Sequence, residues 1–212
     1  MNQSRFQLLG WFLFVATFGV FVATGFQDNT TKIGVVDISK VVENSDFGKQ
    51  NQETFNAMKK SREDLLEFID TYRVLTPEQA TQLRDISLKP NPSKEESATL
   101  ETTKASIVAS NKKWQELSTK TNLTQEDRVL IEDYAKRSQT MNEVAQRWFR
   151  EFTNDMQTWA DKQKLTSIEK ARASIQEVAK AQGYSVVFEV GVAPYGANDL
   201  SDAALAKMNE KK

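Results

Sequence analysis

The sequence predicts an α+β fold that is mostly α: a long antiparallel coiled-coil arm rooted in a small β body built from both chain ends. Three observations predict it. From Thr124 to Gln182 there is no proline and no glycine, and apolar residues recur at threes and fours, which is helical spacing. A second stretch, Phe47 to Leu75, carries Phe55, Met58, Leu65, Ile69 and Tyr72 on a heptad seam, with Arg62 in the one gap. Short β-rich runs stand only near the two ends, at Ile33–Ile38 and Ser185–Val190.

Composition bounds what the chain can do. Hydrophobic residues make up 39% and charged residues 27%, which suits elongated helices with much wet surface. The net charge is −1, so no global basic field draws in nucleic acid or anionic lipid. Cysteine and histidine are both absent. That removes disulfides, thiolate chemistry, the commonest general base and the commonest metal ligand. No Gly-x-x-x-x-Gly-Lys loop occurs, and no alternating oxygen ligands surround a glycine as a calcium loop requires. The acid pairs Glu95–Glu96 and Asp127 with Glu132–Asp133 lie among lysines and arginines on helical stretches, so they read as solvated faces. The chain is therefore read as no enzyme, with no cofactor and no metal.

In chain order, the front is a candidate export signal. Arg5 precedes an apolar run from Leu8 to Ala23, and small residues follow to Gly25. Residues 1–25 are assigned as a signal peptide; an uncleaved anchor helix is the competing reading, because the run borders on the length of a membrane span. Residues 26–46 supply the first part of the β body, through the strand at Ile33, with Asp37 or Ser39 able to cap the next helix. Residues 47–182 form the helical arm, and 76–123 an inserted tip. Thr76-Pro77-Glu78-Gln79 is a fresh helix start with a capping box, leading to a short helix that ends near Leu88. Lys89-Pro90-Asn91-Pro92 breaks the chain, and Ser93 caps a further helix whose seam is Leu100, Ile107, Trp114 and Leu117. Thr124 with Asp127 opens the longest helix, and Gly183 stops it. Matched lengths place the first arm helix against the lower half of the long one and the tip helix against the upper half, both antiparallel. Residues 183–212 return to the β body with a second strand, a third strand within Gly191–Ala197, and a closing helix over Ala203–Met208.

Two groups of residues are singled out. Ile33, Val35, Val36, Val186, Val187, Phe188 and Tyr195 are the β-body and oligomer candidates, since so few strands bury little core alone. Trp148, Phe149, Phe152 and Trp159 cluster over about three turns. They are either hairpin core at the elbow or contacts for an unfolded client. Trp148 and Phe149 are adjacent, about 100° apart on a helix, so only one of them can face a given partner.

The end blocks resemble the Skp/OmpH family of periplasmic chaperones. The resemblance is carried by Lys32-Ile33-Gly34-Val35-Val36-Asp37 with Ser39-Lys40-Val41, and by Ala181-Gln182-Gly183-Tyr184-Ser185-Val186-Val187-Phe188. Val192-Ala193-Pro194-Tyr195 and Asp199-Leu200-Ser201 continue it, Ser201 standing as a cap where the family has Thr. It implies a homotrimer whose arms enclose a cavity, an ATP-independent holdase for unfolded outer-membrane proteins, periplasmic, with no nucleic acid and only transient membrane contact. An envelope coiled-coil scaffold or adaptor, anchored if the front is uncleaved, is the other reading. The tip departs from the family: acids and bases nearly balance between Thr76 and Leu123, which argues against an electrostatic tip and against lipopolysaccharide binding.

Overall fold

The computed structural model describes residues 31–210, so the expected export signal at residues 1–25 lies outside the described residues. The fold is α+β and mostly helical. In chain order the elements are β1 (Ile33–Val36), α1 (Ile38–Asn44), α2 (Asp46–Thr71), α3 (Pro77–Ser87), α4 (Lys94–Thr119), α5 (Gln125–Ala181), β2 (Val186–Glu189) and α6 (Ser201–Asn209).

Local chemistry sets the boundaries. β1 ends at Val36 because the Asp37 carboxylate accepts from the Lys40 N–H at 2.9 Å and starts α1. Ser45 ends α1 and caps α2 through the Gly48 N–H. At Gly48 a Cβ would collide with the Val42 carbonyl oxygen, so the joint between the two helices admits only glycine. Three complete capping boxes open α3, α4 and α5, at Thr76–Gln79, Ser93–Glu96 and Thr124–Asp127. α5 then runs for 57 residues, roughly 85 Å at ~1.5 Å per residue, and stops where Gly183 takes φ +72°.

A helix that long needs lateral partners, and it has them in sequence. Near its end it meets the β body: Ala171 and Ile175 cluster with Val36, Val41 and Ala204. Along its middle it lies antiparallel to α2, with Trp159 against Phe55 and Ser167 facing Asn51. At the elbow α3 wedges in, and Leu65, Ile69, Leu83, Ile107, Met141 and Trp148 belong to one buried cluster. Toward the tip α4 takes over, with Leu117, Val74 and Tyr134 closing a smaller core.

β1 and β2 form a two-stranded parallel sheet, in register Ile33↔Val186 through Val36↔Glu189. The third strand expected within Gly191–Ala197 is not formed, and that segment is turn and coil. The outer side of β1 is taken instead by a single parallel bridge, Val35↔Asp199, with Leu200 N–H donating to the Val35 carbonyl at 2.8 Å. Ser201 is not the cap of the closing helix either. Leu200 holds that position, and α6 starts at Ser201. The buried Ser201 hydroxyl accepts the Asp37 N–H at 2.8 Å and donates to the Asp199 carboxylate, tying the two chain ends together.

Candidate functional site

Of the four aromatic candidates, the structure turns two inward. Trp148 and Phe152 are each 3% exposed and belong to the elbow core. The cause is α3. Arg84 on that helix pairs with Glu151 at 3.1 Å and lies over both the Trp148 and Phe152 rings, at 5.5 and 5.8 Å, holding the wedge on that face of α5. Phe149, one position on, points the other way and is 63% exposed. Trp159 is half-buried, its ring 6.1 Å from that of Phe55.

Phe149 overhangs an open groove between α2 and α5. One hollow of about 390 Å³ has Phe55, Leu66, Phe152 and Met156 in its lining, with Arg62 among them. A second hollow, of about 510 Å³, lies between Val42, Phe55 and Trp159, with Lys49 and Lys164 beside it. Phe55 and Ala160 belong to both, so the two hollows run into one groove divided by the Phe55–Trp159 ridge. The groove exists because two helices alone leave their seam open to water, and α3 reaches only its upper end. Arg62 and Met156 were not among the sequence candidates. The signal for Arg62 was there, a charge at a seam position of an otherwise apolar heptad run.

The β-body candidates divide by sheet face. Val36 and Val187 face the helices, with Val36 in the body cluster and Val187 packed against it. Ile33, Val186 and Phe188 lie on the other face and are each about two-fifths to one-half exposed. Val35 shares that face but is covered, since a Cβ on Gly196 would strike its side chain. Tyr195 is 98% exposed and takes no part in the sheet. Val186 and Val190 turn their N–H groups toward the β1 side, at 3.5 and 3.0 Å. Strand alternation therefore turns those of Val187 and Glu189 outward, and among the described residues no strand pairs with that edge.

The acid pairs are accounted for by local bonds. The Asp127 carboxyl sits below its ordinary range because the Lys120 ammonium and then the Thr124 N–H bond to it. Glu96 is lowered by Lys89 and then by the Ser93 N–H. Glu132 pairs with Lys136 at 2.9 Å, and Asp133 pairs with Arg137 at 2.5 Å. Among the described residues no helix is long and apolar enough to cross a membrane.

The sequence model of the family described as Outer membrane protein (OmpH-like) matches residues 32–208, nearly all of the described chain. No curated protein matches. With the helical arm, the end-to-end sheet and this match in hand, the chain belongs to the OmpH-like family, a family of non-enzymatic periplasmic chaperones associated with outer-membrane proteins.

Proposed function

We propose that this protein is an ATP-independent periplasmic holdase that takes up unfolded outer-membrane proteins between helical arms and keeps them from aggregating. The observation that carries the reading is the open α2–α5 groove, an apolar floor with Phe149 exposed above it on a long helical arm. Such a groove offers shallow apolar contact at several points, which suits weak, multiple and reversible attachment of an unstructured chain. Phe149 and Trp159 are the contact residues in this reading.

The cavity between arms is supplied by self-association into a homotrimer. The apolar face of Ile33, Val186 and Phe188 and the unpaired edge of β2 are its contact surface. Residues 1–25 direct export and are removed. The chain then divides into a body from 26–46 and 183–212 and an arm from 47–182 whose tip is 76–123.

Dilution of a urea-unfolded β-barrel membrane protein into buffer, followed by light scattering, tests the reading. The exported protein at stoichiometric trimer should suppress scattering. A scaffold or adaptor leaves scattering unchanged, and that result would sink the proposal. Amino-terminal sequencing of the exported chain separates a cleaved signal from an anchor. A monomeric mass in solution would remove the cavity.

A further inference from the structure

We infer that Arg62 makes the groove selective: it favours unfolded segments in which a carboxylate lies beside a large apolar side chain. The inference deepens the holdase reading above and rests on it.

Arg62 occupies a seam position of α2 where the heptad rhythm calls for an apolar residue. Its guanidinium lies over the Phe152 ring, 5.5 Å from the centroid. One of its terminal nitrogens donates to the Met58 carbonyl at 3.2 Å, while Nε is shut off from water with no acceptor. A guanidinium carries five N–H donors, so most of its capacity is unused. Glu63, the acid in the lining of that hollow, is paired with Lys59 at 3.7 Å. Arg62 is thus a half-buried charge without a counter-ion among the described residues, set against an apolar floor. Such a charge is costly to leave unpaired. An arriving carboxylate engages the terminal nitrogens of the guanidinium by charge-assisted bonding.

The rest of the groove agrees in sign. Lys49 and Lys164 border the second hollow and ion-pair with no carboxylate among the described residues. Across both hollows Lys49, Lys59, Arg62 and Lys164 stand against Glu43 and Glu63, on a chain whose overall charge is −1. The groove is a local basic strip on a nearly neutral protein.

Its shape favours a polypeptide over an acyl chain. The groove is open along its length, roughly 27 Å from Gly48 to Leu66 at ~1.5 Å per helical residue. The Phe55–Trp159 ridge interrupts it, which suits separate side chains better than one continuous hydrocarbon. The centres of the two hollows lie about nine residues of α2 apart, or ~14 Å. That is roughly four residues of extended chain at ~3.3 Å each. The favoured segment therefore has two large apolar residues four apart and an acid midway between them, since residues two apart in an extended chain share a face.

Fluorescence anisotropy with the full exported protein and short labelled peptides tests this. Each peptide carries two Phe residues four apart, with Glu, Gln or Lys midway between them. The Glu peptide should bind about tenfold tighter than the Gln peptide, and the Lys peptide weakest. Arg62→Gln should erase the Glu advantage while still binding the Gln peptide. Arg62→Lys should retain only part of the advantage, because an ammonium bonds a carboxylate without the planar fork. Thermal melts of both variants report whether the arm stays folded, and the wild-type peptide series stands without them. Equal affinity of wild-type protein for the Glu and Gln peptides overturns the inference, as does a Glu advantage that survives Arg62→Gln. Displacement of the Glu peptide by sodium oleate at lower concentration than by unlabelled Glu peptide overturns it in favour of a lipid site. If no peptide binds while aggregation is still suppressed, selectivity at this groove is refuted and the holdase reading stands. If aggregation is not suppressed either, the holdase reading has failed as well.

Discussion

The elbow and the stretch of arm below it are built from the same two helices, α2 and α5, yet they are opposites in packing. At the elbow a third helix, α3, completes the ring, and Trp148, Phe152, Leu65 and Ile69 are almost wholly removed from water. Below it, around Phe55 and Trp159, only two helices meet. Apolar side chains there stay half-covered, and a polar contact between Asn51 and Ser167 stands in the seam. One helix pair can therefore serve as anchor and as open surface, according to whether a third element reaches it.

This contrast has consequences that differ in size. Trp148→Ala removes a fully packed indole and its partner for Arg84, and should cost about 3–5 kcal/mol in chemical denaturation. A loss under ~1 kcal/mol would show that the elbow is not the anchor. Phe55→Ala, in the open stretch, should cost roughly half as much, because water already reaches part of the ring. Equal losses at the two sites would erase the distinction between elbow and open arm.

Acid should act on the upper end of the arm. Glu78, Glu95 and Glu126 have carboxyls lowered by the free N–H groups of the helix starts they sit on, and then by Thr76, Ser93 and Thr124. A depressed folded-state pKa contributes stability present above the unfolded value and lost as pH falls through the folded one. Melting temperature should therefore hold down to about pH 5 and fall below about pH 4. In the body, Asp199 is lowered by the Ser201 hydroxyl and then the Ser201 N–H, so it joins the same transition. A melting temperature that rises on acidification contradicts these assignments.

The smallest effect on stability should come with the largest effect on activity. Phe149→Ala should change the melt by no more than ~0.5 kcal/mol, as an exposed position does. It should still weaken suppression of aggregation. A Phe149 variant with full activity would leave the groove without its exposed contact.

Much of this fold was legible in the sequence, and the reasons are local. Capping signals at Thr76, Ser93 and Thr124 and the stop at Gly183 act within one turn, so they can be read without tertiary knowledge. The break at Ser45 was less legible, because its cap has no Glu or Gln three residues on; the signal is Gly48 alone. The third strand failed for a non-local reason. A strand needs an edge, and the outer edge of β1 is taken by Asn198–Leu200, leaving Val192 and Tyr195 in exposed coil. The aromatic cluster was legible halfway. Adjacency dictated that Trp148 and Phe149 diverge, but which one turns inward depends on where α3 docks. That in turn depends on Arg84, Leu83 and Ile86 meeting residues far along the chain.

The parallel pairing of β1 with β2 joins Ile33 to Val186, almost opposite ends of the polypeptide. Closing a loop of that length in an open coil is slow, and each doubling adds roughly 0.6 kcal/mol of entropy cost. The helical hairpin changes the problem: once α2 lies along α5, the two distant segments are delivered side by side. The sheet is then the last piece to assemble, and a chain cut short before Val186 would carry legs with nothing to stand on.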